Sequence, residues 1–173
     1  MDYPGTEVFF DKNDLIVSKT DLKGRITYAN HTFLEIANYD ESEVMGKAHN
    51  MIRHPNMPRG IFEMLWNRIP NGDEVFAYIV NSTKGGDHYW VLGHVTPSYE
   101  NGEITGYHST RRVPSARIIR DVIEPLYSEL NHIEASTANR KEGTRKSTEH
   151  LDSLLSKRGL GYDEFMASLM REA

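Results

Sequence analysis

The sequence predicts an α+β domain: a five-stranded antiparallel sheet with short helices on one face, followed by a helical extension. Three observations lead there. Two short β-favouring runs flank a glycine turn, a cluster of short helical segments follows, and three longer β-favouring runs are then separated by two tight turns. Antiparallel runs with their helices in one block form a sheet covered on one side.

The first two runs are residues 15–20 and 25–30, separated by Asp21-Leu-Lys-Gly24. Gly24 accepts positive φ at no steric cost, so this is a hairpin signal. Phe33, Ile36 and Ala37 then recur at helical spacing, with Asn30 or Thr32 placed as N-cap. Residues 40–46 read as one capped turn ending in Gly46. Met57-Pro58 opens a stronger helix, on which Ile61, Phe62, Leu65, Trp66 and Ile69 make the expected apolar stripe. Pro70-Asn71-Gly72 ends it. The three longer strands are residues 75–82, 88–98 and 104–112, and Asn101-Gly102 between the last two suits a tight hairpin turn.

Residues 115–134 are helical again, with Ile118, Ile119, Val122, Ile123, Leu126, Leu130 and Ile133 on one stripe. Pro125 predicts a kink or break in it. Residues 135–148 are polar and contain Gly143, which predicts a linker or frayed helix. Leu151, Leu154 and Leu155 mark a short amphipathic helix, Gly159-Leu-Gly161 breaks it, and residues 162–171 form a last one. The expected division is therefore an extension (1–13), a domain (14–113), an amphipathic output helix (114–134) and a polar linker with short helices (135–173).

Composition narrows the function. The chain has 173 residues, long enough for one domain and an appendage. Zero cysteines exclude disulfides, thiolate metal sites, thiol nucleophiles and cysteinyl-flavin photochemistry. A formal charge of −5 provides no global attraction to nucleic acid or anionic lipid. No apolar run reaches the roughly 18 residues needed to cross a bilayer. Residues 1–14 carry acids without a basic stretch, so a cytoplasmic location is expected. Neither GxGxxG, P-loop nor GxSxG occurs, and no clustered metal-ligand spacing appears, so no enzyme and no non-haem metal site are expected.

Two motifs then identify a family. Asp21-Leu-Lys-Gly-Arg-Ile-Thr-Tyr-Ala-Asn30, with Phe33 and Asn38-Tyr39, resembles the opening of a PAS domain. His49-Asn-Met-Ile-Arg-His-Pro-Asn-Met-Pro58 and Gly86-Asp-His-Tyr-Trp-Val91 resemble the PAS domain of bacterial aerotaxis and energy-taxis receptors. That resemblance covers about residues 14–112. It implies a PAS fold with the first strand between the second and the last, and noncovalent FAD whose redox state is sensed. It also implies a signalling partner such as a membrane chemotaxis transducer, with no direct membrane insertion. The family pattern commonly has aspartate where this chain has Asn56, and tryptophan early in the third strand where it has Val75-Phe76.

A flavin needs planar apolar surface, donors at its polar edge and cations for a pyrophosphate. Trp66, Phe76, Tyr78 and Trp90 are candidates for the first, and Asn50, Asn81 and His54 for the second. Arg53 suits a phosphate bidentately, and Asn56 belongs to the same loop. Tyr89 and Trp90 are adjacent on a strand, so only one of them faces the helices. Plain core packing competes for Trp66. His54 or His49 as axial ligand of haem b is the alternative cofactor reading. A cofactor-free interaction module is the other, in which the 115–134 stripe binds a transducer or a second copy in a homodimer.

Overall fold

The computed structural model describes residues 3–172. The five strands are β1 (Ile16–Asp21), β2 (Ile26–Ala29), β3 (Val75–Ser82), β4 (His88–Glu100) and β5 (Glu103–Arg112). They form one antiparallel sheet in the order β2-β1-β5-β4-β3, with β1 between β2 and β5 as expected. The β1–β2 and β4–β5 hairpin turns use the residues that the sequence offers. Gly24 sits at φ 73°, while Asn101 and Gly102 sit at φ 51° and 85°. Two successive positive-φ residues match the right-handed twist of the flanking strands.

The helix α1 (His31–Ala37) begins on Asn30. Its Oδ1 accepts from Phe33 N and Val17 N, both at 3.0 Å, and its Nδ2 donates to Leu15 O at 2.7 Å. One side chain thus starts the helix and ties it to β1. Asn38 ends it in the left-handed region, at φ 58°. Next come α2 (Glu41–Val44), with Asp40 N donating to Glu43 Oε2 at 3.0 Å, and a 3₁₀ turn at His49–Ile52. Helix α3 (Arg59–Arg68) passes into a 3₁₀ turn that stops at Gly72. Its apolar stripe differs from expectation. Ile61, Met64 and Leu65 are buried, whereas Trp66 is 41% exposed.

At the C-terminal end α4 (Ala116–Ile118) runs through a π-helical turn at Ile119–Ile123 into α5 (Glu124–Ala135). Pro125 has no N–H for the preceding turn, and the wider π turn before it accommodates that loss. The expected break is therefore a local widening. The polar linker expected over 135–148 is corrected: α6 (Arg140–Lys157) starts within it, capped by Asn139, and α7 (Tyr162–Arg171) follows. Gly143 is not a breaker. Added at that position, a Cβ would lie 2.8 Å from Glu134 O, so the glycine lets α6 approach α5.

The chain forms two compact units. One comprises residues 3–54 and 68–113, the sheet with α1 and α2. The other comprises residues 55–67 and 114–172, most of α3 with α4 to α7. In this second unit Glu134 is buried and accepts from Gly60 N at 2.9 Å and Arg59 Nε at 3.1 Å. Thr148 Oγ1 donates to Glu63 Oε2 at 2.9 Å. The start of α3 is thereby pinned to α5 and α6. Within the sheet unit, the N-terminal segment bonds to β4 ahead of Leu92, where pairing with β5 begins. Val8 N donates to His88 O at 2.7 Å, and His88 N to Thr6 O at 3.1 Å. No helix among the described residues is long and apolar enough to cross a membrane.

Candidate ligand-binding site

Directly paired residues share a face of the sheet, so the register divides the candidates. Phe76 pairs with His94, Tyr78 with Leu92, and Val80 with Trp90. Phe76, Tyr78 and Trp90 therefore share one face. On the other face Asn81 pairs with Tyr89, Ile79 with Val91 and Ala77 with Gly93. Gly93 in turn pairs with Arg111 of β5, and Arg111 with Ile16 of β1. Helix α1 and the His49–Ile52 turn cover this second, inner face: the Phe33 ring lies 5.3 Å from the Arg111 guanidinium and His49 Nε2 lies 2.9 Å from Ser18 Oγ. Of the adjacent aromatics, Tyr89 lies on the face covered by α1 and the His49–Ile52 turn, and Trp90 on the opposite face.

The inner face is polar at its centre. Arg111 is fully buried, as are Ser18 and Tyr89, while Asn81 is 3% exposed. Arg111 Nη2 donates to Ser18 Oγ and approaches His49 Nε2 at 3.2 Å, and Nε donates to Ser109 Oγ at 3.1 Å. Burial pulls the Arg111 pKa down to about 10, with Tyr89 opposing. His49 falls to about 3, first by burial and then by the Arg111 charge. Although part of His49 is accessible to solvent, its Nε2 edge faces inward against a cation. Tyr89 is pushed up to about 12 by burial, against the pull of Arg111 and Asn81.

Arg53 joins this side. Its backbone forms an antiparallel bridge with Asn81 at the free edge of β3, so both residues project to the inner face. His54, one residue on, goes to the other side. There its ring lies 5.2 Å from Tyr3 and 5.9 Å from His88, while Tyr3 lies 5.8 Å from Trp90. Burial and then the nearby His88 lower the His54 pKa. Phe76 stacks on His94 with ring centroids 4.1 Å apart. Asn50 lies exposed in the 3₁₀ turn, its carbonyl accepting from Arg53 N at 3.1 Å. Asn56 and Trp66 belong to the second unit, where Asn56 O accepts from Asn131 Nδ2 at 2.6 Å.

The structure thus brings Arg53 and Asn81 to one face of the sheet, and His54, Phe76, Tyr78 and Trp90 to the opposite side. Ser18, Tyr89 and Arg111, also buried on the inner face, are not among the residues that the sequence singles out. Their signal was weak: Tyr89 alternates with Trp90, and an arginine near a strand end reads as exposed. Ser18 Oγ and the Arg111 guanidinium both lie against the inward nitrogen of His49, at 2.9 and 3.2 Å. Among the described residues no cluster of three metal-binding side chains occurs. An open cleft of about 670 Å³, lined by His31, Glu35, Asp40, Glu43 and Lys84 among others, shares none of these residues.

Comparison with known proteins agrees with this architecture. The PAS fold family matches residues 26–111. The aerotaxis receptor of Escherichia coli (strain K12) is 40% identical over 116 residues, 67% of this chain and 23% of the receptor. Phototropin-2 of Oryza sativa subsp. japonica is 25% identical over 122 residues, 70% of this chain and 13% of that protein. The chain thus spans under a quarter of the length of these relatives. Among solved structures, a light-oxygen-voltage domain studied with a flavin analogue superposes with TM-score 0.56 at 19% identity, covering 66% of this chain and 87% of that one. An RNA-binding light-oxygen-voltage receptor gives 0.57 at 22%, covering 70% and 36%. Fold and sequence agree: residues 26–111 form a domain of the PAS fold family, and this region is similar to the aerotaxis receptor.

Proposed function

We propose that this PAS protein is a redox sensor that binds FAD noncovalently on the inner face of its sheet and signals by protein contact. The supporting observation is the buried polar centre of that face. Arg111 Nη1 lies buried without a hydrogen-bond partner among the described residues, on the same face as Asn81 and Tyr89. A buried donor without a partner costs free energy unless a ligand supplies an acceptor. These groups fit a planar ring with a polar edge, and Arg53 suits a phosphate. The absence of cysteine removes the cysteinyl-flavin bond and supports noncovalent binding. The 40% identity with an aerotaxis receptor supports the sensing role.

In this reading the ring supplies electron transfer, gaining negative charge when reduced. The chain's own residues hold its polar edge, exclude water and carry the altered charge to the sheet. The output runs through the helices after residue 114 to a cytoplasmic signalling protein, a chemotaxis transducer or a second copy of the chain. A partner responds only to the extent that it distinguishes the two states, typically ~1–3 kcal/mol of coupling.

The absorbance spectrum of protein purified without added cofactor tests this. Flavin bands, with FAD identified by mass spectrometry after heat release, are expected. FMN in its place would correct the nucleotide. A Soret band, or a colourless protein that does not take up added FAD, would refute the flavin reading.

A further inference from the structure

The inner face holds a cation that no carboxylate among the described residues balances. Arg111 is 1% exposed, and its guanidinium contacts are two serine hydroxyls, a histidine nitrogen and the Phe33 ring face. No carboxylate among the described residues pairs with it; the sole charge interaction raising its pKa comes from Tyr89. Nη1 has no hydrogen-bond partner among the described residues. Burying a guanidinium in this way is costly, and natural proteins normally pair it.

The surroundings are built for the side chain. Gly93, its neighbour on β4, has no Cβ; one added there would meet Ile79 Cδ1 at 3.1 Å and Arg111 Cγ at 3.6 Å. That absence clears the path of the arginine stem across the sheet. The hydrogen-bond directions are also determined. Both Arg111 and the Ser18 hydroxyl donate toward His49 Nε2, so His49 is the neutral tautomer with its proton on Nδ1. Ser18 accepts from Arg111 while donating to His49. This chain holds Nη2 and leaves Nη1 uncommitted.

We propose that Arg111, held by Ser18 and His49, receives the electron-rich polar edge of the bound ring and sets the preference of the domain for its reduced, anionic form. The inference rests on the flavin reading above. A fixed cation beside a group that gains negative charge stabilises the reduced state more than the oxidised one, and a buried site screens that interaction little. Arg111 is then a binding residue as well as a tie between β1 and β5. Ser18 and His49 are positioning residues that act through it.

The test uses the full chain loaded with FAD, comparing wild type with Arg111→Gln and Ser18→Ala. Circular dichroism checks folding, flavin fluorescence gives the affinity for the oxidised ring, and equilibration with reference dyes gives the midpoint potential. Arg111→Gln should lose ~10-fold or more in preference for the reduced ring, a midpoint lower by ~30 mV or more for two electrons. Ser18→Ala keeps the charge but frees Nη2, so its midpoint should fall in the same direction by less. A folded Arg111→Gln protein with wild-type midpoint and affinity would reduce Arg111 to a strut and overturn the proposal while leaving the flavin reading intact. Should Arg111→Gln not fold, an unchanged midpoint in Ser18→Ala overturns it equally. Wild-type protein that takes up no FAD overturns both readings.

Discussion

Replacing Gly143 with alanine sets two physical effects against each other, and the structure decides the sign. Gly143 lies inside α6, where alanine is favoured over glycine by about 1 kcal/mol. A Cβ at that position would lie 2.8 Å from Glu134 O, 3.3 Å from Glu134 Cα and 3.4 Å from Thr137 Cβ. The first two are backbone atoms of α5, which cannot rotate away as a flexible side-chain tip can. Forcing a methyl into such a contact costs about 1–3 kcal/mol, and separating the helices also strains the Glu134 bonds to Arg59 and Gly60. We expect Gly143→Ala to destabilise the protein by about 1 kcal/mol net. In urea that lowers the midpoint by roughly 0.5 M at a slope of about 2 kcal/mol/M. Ser153→Ala, exposed on the same helix, is the control with propensity alone and should be neutral or slightly stabilising. Unfolding followed by helical circular dichroism reads both. If Gly143→Ala matched or exceeded wild type, the close α5–α6 approach would be wrong, and residues 135–148 would behave as the loose segment that composition suggests.

Other outcomes follow from individual groups. His49 should show no imidazole titration by NMR between pH 5 and 8, since its folded pKa lies near 3. Because that value lies below the unfolded one, the unfolded chain binds more protons. Stability therefore falls as pH drops from about 6.5 toward 3, by up to about 1.4 kcal/mol per pH unit; a normal His49 titration would contradict the buried contact. The Lys84 ammonium, 2.6 Å from Glu43, is the main cause holding that carboxyl below its usual value. Lys84→Ala should raise it, and the stabilisation it reports is present above the unfolded pKa and lost as pH falls through the folded one. Leu130 is fully buried in the second unit. Leu130→Ala should cost about 2–5 kcal/mol, seen as a lower denaturation midpoint, because Leu130, with Ile118, Ile119 and Ile123 of the stripe, is buried within the fold; an unchanged midpoint would mean that Leu130 is not packed there.

Local chemistry determined several of the element boundaries, though not the start of α6. Gly24, Asn38, Gly72 and Asn101-Gly102 adopt positive φ where turns or helix ends require it, and such preferences act within a few residues of chain. Asn30 was legible as one of two cap candidates for the same reason, and the structure selects it over Thr32. Its second role, binding β1, was not, because that partner is brought near only by the hairpin.

The candidate site was legible as a set of motifs but not as a surface. Alternation alone shows that Tyr89 and Trp90 face opposite ways. It does not show which faces the helices, because β3 and β4 are buried on both faces and the hydrophobic pattern loses its period there. The pairing register settled it, placing Asn81, Tyr89 and Arg111 together and moving Phe76, Tyr78 and Trp90 to the opposite side. Arg111 illustrates the limit most clearly. By sequence it is a charged residue near a strand end, expected in water. Only the register across β1, β5 and β4, with Gly93 beside it and α1 above, encloses its charge. Sequence by itself determined the strands, the turns and the family, because those depend on local preference and short motifs. Tertiary structure alone decided what is buried against what, because burial is a property of the contacts between distant segments.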